Sequence, residues 1–135
     1  MAITHHWVSK ELLIAEYSGK VTGQELVAAV LEISGDPRFY DLRGVLGDWR
    51  NITEPSLTTG DMEKTAAYVE AIAKSAPNIK LATLMLHEES REALEAFFSL
   101  LVEHTSWETE GFNNPEAACR WLGVAPESVA FLSDT

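Results

Sequence analysis

The sequence predicts a single α/β domain, a mixed sheet of about five strands carrying four helices. Three observations lead there. Apolar positions alternate between strand-like and helix-like spacing along the whole chain. Ile79 to Leu86 is apolar on both alternations except at Lys80 and Thr83, as a central strand covered on both faces requires. The length of 135 residues, 46% of them hydrophobic, suits one domain with a core that needs neither metal nor disulfide.

The elements follow in order. Trp7-Val8 and the run from Leu12 to Tyr17 flank Ser9-Lys10-Glu11, a short hairpin turn, and Gly19 closes the second strand. Thr22 and Glu25 have capping-box spacing, in which each side chain reaches the other's backbone N–H. Leu26, Val30 and Ile33 then recur at helical spacing, and Gly35-Asp36-Pro37 stops the helix. Leu42 to Trp49 reads as a short buried strand, and Asn51 to Leu57 as a loop containing Pro55. A second helix begins near Thr58, Thr59 or Asp61, with Met62, Ala66, Val69 and Ile72-Ala73 on its inner side. Ala76-Pro77-Asn78 breaks it before the central strand. The third helix runs from about Glu88 to His104, on a wide apolar stripe of Leu94, Phe97, Phe98, Leu101 and Val102. Trp107 to Phe112 is the last strand, alternating with Glu108 and Glu110. Asn114-Pro115 starts the fourth helix and Gly123 ends it. Strand–helix–strand alternation implies parallel pairing, with the opening hairpin adding one antiparallel edge. Periodicity leaves open whether the helices cover both faces of the sheet or mainly one.

Charge and composition exclude several functions. Twenty-one acids against ten Lys and Arg give a formal charge of −11. Phosphate-backbone binding needs clustered Lys and Arg, so a nucleic-acid partner is not expected. Anionic lipid is disfavoured for the same reason, and no run approaches the ~20 apolar residues of a membrane span. The lone Cys119 rules out an intrachain disulfide, and the N-terminus lacks a signal-peptide pattern, so a cytoplasmic location is expected.

No motif supplies a catalytic nucleophile, a phosphate-binding glycine loop or zinc-ligand spacing, so neither enzyme activity, a cofactor nor a metal is expected. His5 and His6 are neighbours on a strand and point to opposite faces. His87 ends the central strand, where open sheets place ligand sites. His104 closes a helix, where a cation suits the dipole. Cys119 falls beside Ala118 and Trp121 and reads as a packed thiol. The segment from Gly47 to Asp61 is the most informative, because it links a buried strand to a helix N-terminus at the carboxyl edge of a parallel sheet. Asp48 there can order loop amides or pair with Arg50, Trp49 can line a pocket or interface, and Ser56, Thr58 and Thr59 are candidate phosphoacceptors, one of them the helix N-cap.

A family resemblance rests on several of these residues in order. They are Trp7, the run from Leu12 to Thr22, the Asp36-Pro37-Arg38-Phe39 break and Leu46-Gly47-Asp48-Trp49-Arg50. Lys80-Leu81-Ala82, Phe112 and Glu116 to Gly123 follow. This order resembles the SpoIIAA-like group of small bacterial proteins, which is similar to the STAS domain of anti-sigma factor antagonists. The resemblance covers residues 7 to about 123 and implies a mixed sheet packed by helices, so one SpoIIAA-like (STAS/CRAL-TRIO-like) domain is expected over residues 1–123. The apolar run Val129-Ala130-Phe131-Leu132 leads to the expectation that 124–135 is a C-terminal tail packed on it. It also implies a protein-interaction role. In the antagonists a Ser at the start of the helix after the third strand is phosphorylated by a partner kinase. Here the Asp-Ser-Ser-Gly-like signature is replaced by Asp48-Trp49-Arg50-Asn51, so only Asp48 matches.

Two functions follow as expectations. The first is a non-enzymatic interaction or regulatory module of the STAS-like type, with a protein partner and a surface built from Asp48, Trp49, Arg50, Ser56, Thr58 and Thr59. The second is a module for a small apolar ligand, as in the lipid-binding domains of the CRAL-TRIO type. Trp49, Tyr68 and Phe98 would line a pocket of roughly 300 Å³ or more. A homodimer is compatible with either.

Overall fold

The computed structural model of the chain describes residues 2–55, 57–85 and 88–129. Five strands form one sheet in the order β1(Ile3–Trp7), β2(Leu12–Val21), β3(Gly44–Pro55), β4(Lys80–Leu84) and β5(Glu108–Phe112). β1 pairs antiparallel with β2, and every later pairing is parallel. The connecting helices are α1(Gly23–Ser34), α2(Thr59–Ala73) and α3(Glu88–Val102), and α4(Pro115–Leu122) follows β5. A 3-10 turn spans Pro37–Asp41 and another Pro126–Val129.

The layer question has a definite answer. Each parallel strand is added on the same side of the last, so right-handed crossovers send all three connecting helices to one face. Leu26 of α1, Val69 of α2 and Phe97, Phe98 and Leu101 of α3 pack there against Leu13 and Trp49. α4, after which the described residues hold no further strand, lies on the opposite face. Its Ala118 and Cys119, both fully buried, meet Ile14, Leu46, Ala82 and Leu84, and Val129 closes this smaller core. Successive strand residues point to opposite faces, which is why Val45 and Leu46 belong to different clusters.

The caps form where their residues predict them. Thr22 Oγ1 accepts from Glu25 N at 3.2 Å, and Glu25 Oε1 accepts from Thr22 N at 3.1 Å. Asn114 caps α4 by accepting from Ala117 N at 2.9 Å, and Gly123 ends it at φ 77°, in the left-handed region that favours glycine. The Trp107 indole donates to the Ala76 carbonyl at 2.6 Å, tying the end of α2 to the start of β5.

Two strands end later than expected. β2 does not stop at Gly19. It continues to Val21, with register shifts at Glu16/Ser18 and Gly19/Lys20, and Gly19 takes a positive φ of 64°. A glycine adopts that angle at little cost, so the strand bends instead of ending. β3 correspondingly runs past Trp49 through Asn51 and Ile52 to Pro55, because the prolonged β2 offers it a ladder partner. Pro55 sits at the last strand position, where its missing N–H is tolerated.

Candidate functional site

The longer β3 reorganises the segment from Asp48 to Asp61. Asp48 and Arg50, two apart on one strand, share a face. Arg50 donates from Nε to Asp48 Oδ1 at 2.9 Å and from Nη2 to Oδ2 at 3.0 Å, and its backbone N–H donates to Oδ1 at 3.1 Å. The side chains are only 2% and 5% exposed, so this is a buried, bidentate ion pair. It is the pairing the residues predicted, turned inward.

Trp49, between them, points to the other face. It is 7% exposed and sits in the main core. Its indole stacks on Tyr17 with centroids 4.2 Å apart and meets Phe98 edge-on at 5.7 Å. Gly47 permits this, since a Cβ there would lie 3.3 Å from Trp49 Nε1. The ring contacts fill the space between Trp49 and Phe98 that an apolar ligand would need. Tyr68 is half-buried on α2 and joins neither ring. The reason Trp49 is internal is strand pleating: once β3 continues, residue 49 must alternate with 48 and 50, and its face is the α1–α3 side.

Thr58 is the N-cap of α2. Its Oγ1 accepts from Asp61 N at 3.0 Å, and the Asp61 carboxylate accepts from Thr58 N at 3.0 Å. The aspartate also suits the positive end of the helix dipole. This engages the Thr58 oxygen and sets a carboxylate beside it, which disfavours a phosphate at that hydroxyl. Thr59, the first helical residue, and Gly60 are exposed. Ser56 and His87 lie outside the described residues, as do Ala130, Phe131 and Leu132 of the tail. The predicted residues therefore separate into three places: Asp48 with Arg50 under one face, Trp49 in the main core, Thr58 and Thr59 at the rim.

Other predicted residues settle as follows. His5 Nε2 is 3.8 Å from a Glu32 carboxylate oxygen on α1, so it faces the helix layer and its neighbour His6 faces away. Cys119 is fully buried, and burial together with the Glu127 charge pushes its thiol pKa up, the reverse of an activated cysteine. Among the described residues no group of three or more His, Cys, Asp or Glu is arranged to hold a metal ion, and no helix is long and apolar enough to cross a membrane.

Two features of this edge were missed in the sequence. Gly23, the first residue of α1, is buried against α2, and a Cβ there would overlap the Asp61 carboxyl. Asp61 thus packs between two helix N-termini. A cleft of about 220 Å³ also opens between α3 and the ends of β4 and β5, lined by Thr83, Met85, Glu95, Phe98, Ser99, Thr109 and Glu110 with Gly111 in its wall. Thr83 was the sequence signal for it, as a hydroxyl interrupting the most apolar strand.

Comparison with known proteins places the architecture. No family model and no curated protein matches the chain. Two chains among the solved structures match. One is the crystal structure of an uncharacterized protein from the DUF3478 family with a SpoIIAA-like fold, from Shewanella loihica PV-4. It is 17% identical, covers 90% of this chain and 92% of its own, and gives a TM-score of 0.59. The likeness shows the fold: this chain, a five-stranded mixed sheet with three helices on one face and one on the other, is SpoIIAA-like.

Proposed function

We propose that the chain is a non-enzymatic protein-interaction module of the STAS-like type, and that its partner surface is the carboxyl edge of the sheet around the N-terminus of α2. The observation that carries this is the division within the Asp48–Asp61 segment. Asp48, Trp49 and Arg50 are consumed by the interior, which leaves Asn51, Thr53, Thr58, Thr59 and Gly60 as the exposed residues among those described in the segment, the last three together at the start of α2. The SpoIIAA-like architecture supports a binding role over a chemical one. Regulation by charge would act at Thr59, whose hydroxyl is not engaged in the cap, in preference to Thr58; Ser56 keeps its place as a candidate from sequence.

The test is affinity purification from the native lysate with the unchanged chain, Thr59→Glu and Thr59→Arg, quantified by mass spectrometry. Both variants should alter the set or ratio of co-purifying proteins while their circular dichroism stays that of the parent. Identical partners in identical ratio with Thr59→Arg sink the proposed surface. A parent chain that co-purifies with nothing and remains alone by native mass spectrometry sinks the interaction module itself.

A further inference from the structure

The outer edge of the sheet offers a second surface, away from the α2 N-terminus. We propose that β5 is a docking edge for an extended basic segment of a partner protein, which adds to the sheet beyond β5. Lys or Arg residues two apart on that segment lie opposite Glu108 and Glu110. The side chain between them, one bearing a hydrogen-bond donor, turns into the cleft under α3.

The geometry supplies each part. β5 is the last strand in the sheet order, and among the described residues β4 is its one strand partner. Half of its backbone N–H and C=O groups therefore point outward, a ready template for another strand. Glu108 and Glu110 are exposed and share one face of β5, two residues apart. Lys80 stands opposite Glu108 in the β4 register, yet it is directed elsewhere: its ammonium donates to the Trp121 carbonyl at 3.4 Å and lies 5.2 Å from that ring. The acids are thus left to face outward.

Charge then selects the occupant. A second copy of this chain would bring the same two glutamates and the same net charge of −11, so like charges stand against self-pairing. A strand carrying cations at alternate positions reverses the sign of both contacts. This is strand addition, in which the main chain supplies affinity and pockets for alternate side chains supply specificity.

The cleft is the pocket in that scheme. Thr109 and Gly111 alternate with Glu108 and Glu110 along β5 and so lie on the face toward α3, and Glu110 also borders the cleft. Gly111 keeps the cleft wall low, since a Cβ there would come 2.8 Å from Met85 Cε. Inside, Thr83 lines the cleft and is 2% exposed. A donor-bearing side chain arriving over Gly111 would find the Thr83 hydroxyl oxygen as an acceptor. Ser99 and Thr109 add two further hydroxyls at the mouth. Glu95 also lines the cleft but has another interaction of its own, so the assignment rests on the hydroxyls and on the two β5 acids.

The experiment is an amide NMR titration of the full chain at low salt with two synthetic peptides, acetyl-Val-Lys-Gln-Lys-Val-amide and acetyl-Val-Glu-Gln-Glu-Val-amide. The basic peptide should shift the amides of residues 108–112 and of Thr83, and the acidic one should not. The double variant Glu108→Lys/Glu110→Lys should weaken the basic peptide by roughly tenfold or more, from two lost attractions replaced by two repulsions. Glu63→Lys/Glu70→Lys, a like charge change on exposed positions of α2, should leave it within about twofold. Retained dispersion of the variant spectra certifies the fold. Shifts that avoid β5, or an equal loss in both double variants, overturn the proposal in favour of general attraction to an acidic surface.

Discussion

Asp48 and Arg50 form a closed two-point clasp inside the protein, and Asp36 and Arg38 form the same clasp on its surface. In both pairs the Arg backbone N–H and Nε donate to Oδ1 and Nη2 donates to Oδ2. The surroundings differ. The Arg38 side chain is 49% exposed, that of Arg50 2%. Arg38 also lies over the Trp7 ring at 4.6 Å.

The two clasps should respond differently to loss of one partner. Arg50→Ala leaves the Asp48 carboxylate buried without its counter-ion and should destabilise by about 3–5 kcal/mol, as removal of half of a buried pair does. Asp36→Asn should barely move the denaturation midpoint, since water replaces the lost contact. Urea unfolding followed by tryptophan fluorescence checks both, and equal effects would contradict the burial argument.

Gly23 should tolerate no side chain while Asp61 is present. Gly23→Ala pushes a methyl into the Asp61 carboxyl and should cost about 1–3 kcal/mol as overpacking. Asp61→Ala removes the obstacle and half of the capping box, at about 1 kcal/mol. The double variant should be less destabilised than the sum of the two, so a double-mutant cycle with additive energies would refute the contact.

A phosphomimetic at Thr58 should act as a lesion, not as a switch. Thr58→Glu removes the hydroxyl that accepts from Asp61 N and adds a carboxylate beside Asp61. The expected loss is about 1 kcal/mol or somewhat more, visible in thermal unfolding, whereas Thr59→Glu should unfold near the parent midpoint.

Burial pushes the Tyr17 phenol up to about 12, from the ordinary 10.0. The folded state holds this proton more tightly than the unfolded state does. The associated stability is therefore complete below pH 10 and is lost as pH rises toward 12. Urea midpoints measured at pH 9 and near pH 12 should converge between parent and Tyr17→Phe less than the parent falls by itself, because the phenylalanine cannot ionise. Equal alkaline losses in the two proteins would show that Tyr17 carries none of this dependence.

Cys119 should be inert to an aromatic disulfide reagent in the folded protein and react promptly in urea. Its thiol is fully buried and its pKa is raised, so neither access nor thiolate is available. Stoichiometric labelling within seconds under native conditions would contradict the packing of α4.

Much of the fold was legible because it depends on residues close in sequence. Capping needs a side chain and an amide three positions away, so Thr22–Glu25, Asn114–Pro115 and Gly123 could be read directly. The apolar stripe of α3 and the doubly apolar β4 are likewise local patterns. The candidate site was legible only in its parts. Asp48 and Arg50 do pair, but nothing local shows that β3 continues past them, since that depends on β2 bending at Gly19 to stay beside it. Trp49, which the sequence let line a pocket or an interface, consequently stacks on Tyr17 inside the main core.

The sequence by itself determined the order and type of the elements, the caps that start and stop the helices, and an acidic charge that disfavours nucleic acid. Only the tertiary structure decides that α1, α2 and α3 share one face, that Asp61 fills the space left by Gly23, and that β5 is the outermost of the described strands, with Glu108 and Glu110 exposed. Those are relations between residues far apart in the chain. They arise from crossover handedness, strand register and packing, and each becomes defined only when distant segments are brought into contact.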